Sequence, residues 1–155
     1  MMKLTSRSSH AACQHYYADR VVHVTGQPET EEEILSMQDL FLTPGFHCLQ
    51  VGSIEEARLL IERYLVSLFC FKNIAVATSF DGQVPLSAVN IFDEYQLNQH
   101  GKNTAQHIDM SITELFYYDF LWIEADGEVA TDQFYDALRA SNIHTHTPIV
   151  TFILD

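Results

Sequence analysis

The chain has 155 residues, 47% hydrophobic and 12% aromatic, enough for one domain with a full hydrophobic core. Its formal net charge is −13, and three of its eight basic residues, Lys3, Arg7 and Arg20, sit at the amino end; from Val21 onward 20 of the 21 carboxylates face only Arg58, Arg63, Lys72, Lys102 and Arg139. Such a surface repels phosphate backbones and anionic lipid, which weighs against nucleic acid or membrane as direct partners and favours a protein with a basic surface.

Met1–Asp19 is polar, with Thr5, Ser6, Ser8 and Ser9, and is expected to be a flexible arm before a single α/β domain over 20–155. It lacks the apolar stretch of about 7–15 residues that an export signal needs. The longest apolar run, Leu65–Phe71 broken by Ser67, is far short of the ~20 residues that span a bilayer. A cytoplasmic location is therefore expected. Cys13, Cys48 and Cys70 are scattered without C-x-x-C spacing and read as reduced thiols.

Val21–Val24 suits a short edge strand. Pro28 and the acids Glu29, Glu31, Glu32 and Glu33 then open a helix carrying Ile34, Met37, Leu40 and Phe41, an arrangement that suits the helix dipole. Thr43-Pro44-Gly45 stops it and turns the chain into an apolar strand, Gly45–Val51. Only Gly52-Ser53 separates this strand from a helix predicted over Ile54–Leu68, with Ala57, Leu60, Ile61, Tyr64, Leu65 and Leu68 at helical spacing. Ser53-x-x-Glu56 is its capping box. Asn73–Ser79 reads as a strand of the buried parallel type, followed by a loop at Gly82 and Pro85. Leu86–Tyr95 leaves helix and loop both open, and Gln96–Asn103 is polar enough to lie at the surface. Thr104–Phe116 has helical spacing, with Ser111-x-x-Glu114 as an alternative start. Phe120–Glu124 is a strong strand, Thr131–Ala140 a short helix ended by Asn142, and Pro148–Leu154 a final strand. Strands alternating with helices imply a single three-layer α/β domain with a mainly parallel sheet of about four to five strands and right-handed crossovers.

In such a sheet, ligands approach the carboxyl ends of the strands. A phosphate loop there needs G-x-x-x-x-G-K-[ST], so that main-chain N–H groups and a lysine surround phosphate oxygens. Gly52 and Ser53, followed by Ile54, Glu55 and Glu56, supply one glycine, no lysine and two carboxylates. They are the candidates for main-chain ligand binding, and the capping box competes for the same donors. Tyr118–Glu124 resembles a Walker B strand, in which apolar residues lead to an acid. Asp81, Glu124 and Asp126, each just past a strand, form an oxygen-rich set of the kind Mg²⁺ prefers; they define the alternative reading, a small Mg²⁺-dependent hydrolase or phosphotransfer domain. That chemistry lacks a basic group to engage phosphate, because Lys72 lies at the wrong end of its strand.

His144 and His146, on an extended segment, would turn both rings to one side, an alternative metal pair with no third ligand at recognisable spacing. His47, inside a buried-type strand, reads as a hydrogen-bonded core residue. Neither G-x-S-x-G nor G-x-G-x-x-G occurs. Phe116, Tyr117 and Tyr118 are the candidate protein-contact surface, with one or two of the rings expected in the core.

The order of strand, Gly-Ser turn, helix and strand, with Phe120–Glu124 later, resembles a degenerate RecA-like P-loop core that has lost its Walker A loop. Gly45–Leu60 together with Asn73–Ser79 looks like the inactive NTPase-like amino region of the BcsE regulators of bacterial cellulose synthesis. The resemblance covers about 110 residues of pattern and implies protein interaction without ATP turnover. The R-x-G-D stretch with which that family binds cyclic dinucleotides has no counterpart in this sequence. The expected function is a non-enzymatic acidic module, an adaptor or regulatory subunit of a bacterial assembly. It requires no cofactor and is open to homodimerisation through an unpaired edge strand.

Overall fold

The polar amino segment is not all arm. The computed structural model describes residues 3–6, 18–26, 29–65, 73–78, 80, 88–90, 115–125 and 132–154, and in it Lys3–Ser6 is strand β1, antiparallel to β2 (Arg20–Thr25). This makes β2 an internal strand instead of the edge its shortness suggests, since its other side pairs in parallel with β3 (Gly45–Val51). The remaining strands among the described residues are β4 (Ile74–Ala77), β5 (Ala88–Asn90), β6 (Phe120–Glu124) and β7 (Pro148–Leu154). They complete one sheet in the order β1-β2-β3-β7-β6-β4-β5. The neighbours β2-β3-β7-β6-β4 form a parallel centre of five strands, and the short β1 and β5 extend its two edges. Strand β5 lies within the stretch whose sequence leaves helix and loop open; three residues are too few for periodicity to declare.

Several helix ends have a local cause. In α1 (Glu31–Leu42) the Thr30 hydroxyl accepts from the Glu33 N–H at 3.1 Å, and three glutamates occupy the first turn where the dipole favours them. Thr43 closes it through Oγ1 to the Asp39 carbonyl, 2.7 Å. Pro44 follows, then Gly45 at φ +125°, a region that essentially only glycine enters. A Cβ at Gly45 would lie 3.0 Å from the Asp19 carboxylate, which accepts from the Phe46 N–H at 3.1 Å. Helix α2 (Ile54–Leu60) continues into a wider π turn, Ile61–Leu65. Helix α3 (Asp132–Ser141) ends at Asn142 in the left-handed conformation.

Alternation along the strands sends side chains to two cores. On one face Leu49, Val51, Phe120, Trp122, Val150 and Phe152 pack with Met37, Leu40 and Phe41 of α1 and Ala57, Leu60 and Ile61 of α2. On the other, Phe46, Leu121, Ile123 and Ile149 pack with Phe134, Tyr135 and Leu138 of α3 and with Leu115. Phe41 meets Phe120 edge to face, centroids 5.7 Å apart at 84°, worth about 0.5–1.5 kcal/mol beyond the burial itself. The three layers follow. Helices α1 and α2 serve the steps β2→β3 and β3→β4, in one direction across the sheet; α3 serves β6→β7, in the opposite direction and on the opposite face. That is the pattern a constant crossover hand produces.

Candidate functional site

The direction in which the chain winds across the sheet reverses around β7: β3 leads into α2 on one face, β6 leads towards α3 on the other, and β7 lies between them. The crevice at the carboxyl ends of such strands is where open α/β sheets bind ligands.

The described charged groups that arrive at this edge are engaged by one another. Glu124 closes β6 with its side chain 0% exposed, against the Arg58 guanidinium of α2, itself 11% exposed. The pairing is bidentate, Arg58 Nε donating to Oε2 at 2.9 Å and Nη2 to Oε1 at 2.7 Å, the planar fork geometry that makes such pairs strong. Nη2 also donates to the Phe80 carbonyl at 3.3 Å, so one guanidinium ties together α2, the end of β6 and the segment that follows β4. Hydrogen bonding to Glu124 raises Arg58 above its already high range, against the opposing effect of burial.

Arg58 is the charged group at this edge that the sequence does not announce. It is 66 positions from its partner, and its only sequence signal is position: it sits one turn past the helix start, at the carboxyl edge of the sheet. Glu124 holds this counter-charge. Asp81 and Asp126, the other two acids of the proposed Mg²⁺ set, lie outside the described residues. Among the described residues no group of three or more His, Cys, Asp or Glu side chains is placed to hold a metal ion.

Gly52 and Ser53 are arranged as their capping role requires. The Ser53 hydroxyl accepts from the Glu56 N–H at 3.2 Å, and Glu56 Oε2 returns to accept from the Gly52 N–H at 3.2 Å. The Glu56 carboxylate lies so close over Gly52 that an added Cβ would meet it at 2.9 Å. A carboxylate of the chain itself therefore occupies the place above the turn where a phosphate loop holds its anion.

At the opposite, amino edge of the sheet, the expected extended segment around His144 and His146 is instead a 3₁₀ turn, Ile143–Thr145, capped by His146. Two residues apart on such a turn lie about 240° around the axis, so the pair does not share a side. The His144 ring stacks on Phe46, centroids 5.1 Å apart, and the Arg139 guanidinium lies 4.7 Å from the same ring's centroid. His146 is exposed and lines a groove of about 380 Å³ with Leu42, Phe116, Tyr118, Thr147 and Pro148. Of the three aromatic candidates, Tyr118 packs against the α3-side core, while Phe116 and Tyr117 present their rings to solvent.

His47 is buried on β3 and donates from Nε2 to the Thr43 carbonyl at 2.7 Å, which fixes the tautomer; Nδ1 finds no partner among the described residues. Burial lowers its pKa, with Arg20 acting the same way, against the raising effects of Thr43, Asp19 and Asp39. The unfolded chain thus takes up this proton at a higher pH than the folded one. Stability contributed by neutral His47 is complete above the ordinary histidine value of about 6.5 and is lost as pH falls through and below it. We expect urea unfolding between pH 7 and pH 5 to show this loss, bounded by about 1.4 kcal/mol per pH unit for one proton, and His47→Leu to remove that share of the slope.

No helix among the described residues is long and apolar enough to cross a membrane. No protein-family model, curated protein or solved structure matches the chain.

Proposed function

We propose that the chain is a non-enzymatic, acidic α/β protein-interaction module, acting as an adaptor or regulatory subunit of a bacterial assembly in the cytoplasm. It is built on a degenerate RecA-like core of the kind found in the amino region of the BcsE regulators. The observation that carries the reading is the self-occupied crevice: Arg58 neutralises Glu124, and Glu56 covers Gly52, at the edge where a nucleotide-binding relative would hold phosphate and cation. The outward rings of Phe116 and Tyr117 supply apolar contact area for a partner. The partner is a protein with a basic surface, matched to a net charge of −13.

Isothermal titration with ATP, GTP and MgCl₂, run beside light scattering for mass, tests this. The reading expects no saturable heat with any of the three. Micromolar binding that disappears in a folded Glu124→Gln variant would overturn it and make Glu124 a cation ligand of a live nucleotide site.

A further inference from the structure

Helix α1 buries Met37, Leu40 and Phe41, and its opposite face carries two large apolar side chains in water: Leu35, 56% exposed, and Leu42, 47% exposed. Seven residues apart, they stand within about 20° of one another around the helix and about 10 Å apart along it, a spacing that anchors a helical or extended partner segment. Glu31, Glu32 and Asp39 flank them, lining with Leu35 and Ser36 a shallow, open depression on the helix surface. Leu42 in turn forms one wall of the amino-edge groove beside Phe116, and Tyr117, 78% exposed, follows directly. Leu35, Leu42 and Phe116 therefore give this side of the molecule a run of exposed apolar side chains. Helix α1 itself contains no Lys, Arg or His, so this side combines apolar anchors with carboxylates.

We infer that the outer face of α1, continued by Leu42 into the amino-edge groove, docks a basic amphipathic segment of another protein, apolar side chains seated between Leu35 and Leu42 and Lys or Arg set against Glu31, Glu32 and Asp39. Charge complementarity selects this occupant. A second copy of the chain would bring the same three carboxylates against their like, which costs binding energy, whereas alternating Lys and Leu meets both features together. The inference rests on the reading of the chain as a protein-binding module and names the surface and the chemistry of the partner.

The test uses the full chain and a fluorescein-labelled 18-residue Leu/Lys peptide with its leucines at helical spacing. A permuted peptide of identical composition is the control. Anisotropy is expected to show saturable binding of the patterned peptide, weakened at least about tenfold in Leu35→Gln/Leu42→Gln and by a similar factor in Glu31→Gln/Glu32→Gln/Asp39→Asn. The equally neutralising control, Glu62→Gln/Asp132→Asn/Asp136→Asn, should change it less than twofold. Hydrogen exchange with the peptide bound should slow over 31–42. Equal binding of the permuted peptide, equal loss in the two charge variants, or no binding would overturn the inference. So would a dimer in light scattering that Leu35→Gln/Leu42→Gln dissolves, since the occupant would then be a second copy. Failure here with silent nucleotide titrations leaves the interaction reading standing on another surface; positive nucleotide titrations remove that reading itself.

Discussion

Arg58→Met is expected to cost about 3–5 kcal/mol of stability, because it leaves the fully buried Glu124 carboxylate without its counter-charge. The guanidinium makes both bonds to that carboxylate and a third to the Phe80 carbonyl, so one substitution releases three segments at the carboxyl edge. The double variant Arg58→Met/Glu124→Leu removes both charges and their desolvation cost together. It should recover most of the loss, and replacement of buried pairs by apolar groups is often neutral or better. Urea denaturation at pH 7 separates the cases: a midpoint shifted far down for the single variant and largely restored for the double. A single variant costing under about 1 kcal/mol would mean that the pair behaves as a solvated surface bridge. Adding millimolar MgCl₂ to Arg58→Met sharpens the test. A cation site that includes Glu124 would regain stability by mass action, and the interaction reading expects no change.

The second large effect lies in the centre of the sheet. Trp122 is fully buried on β6 in the core that α1 and α2 cover, and Trp122→Ala should lose about 3–5 kcal/mol through lost transfer energy and the cavity left behind. That is a large part of the 5–15 kcal/mol typical of a folded domain. Trp122→Phe should cost clearly less. It keeps a ring in the same site, and the indole N–H that it removes has no acceptor among the described residues, so no hydrogen bond is forfeited with it. Thermal melts of the two variants, with yield of folded protein as the readout where Trp122→Ala does not melt cooperatively, check the order.

Local chemistry made much of this structure legible. The Thr43-Pro44-Gly45 stop, the Ser53/Glu56 capping box and the apolar runs at Gly45–Val51, Phe120–Glu124 and Pro148–Leu154 were all readable, because caps, breakers and burial act over a few residues. The burial of Glu124 with Arg58 was not, since it depends on which helix crosses which strand end. Strand order carries that information, and periodicity is silent on it. The 3₁₀ turn at Ile143–Thr145 escaped for a similar reason: three residues after a helix give no period, and tertiary packing of Ile143 and of His144 on Phe46 decides the conformation. Strand β1 needed a partner, β2, from beyond a polar stretch. Sequence pattern alone presents that stretch as solvated chain.

Among the seven strands of the described residues, β7 is last in chain order and fourth in space. A ribosome therefore delivers β1 to β3 and β4 to β6 first, as two blocks whose facing edges, β3 and β6, both await the same strand. Until Pro148–Leu154 emerges, those edges expose unpaired backbone donors and acceptors next to apolar surface, the state in which nascent chains are most prone to pair with the wrong neighbour. Closure of this sheet therefore waits on β7, which pairs with β3 on one side and β6 on the other.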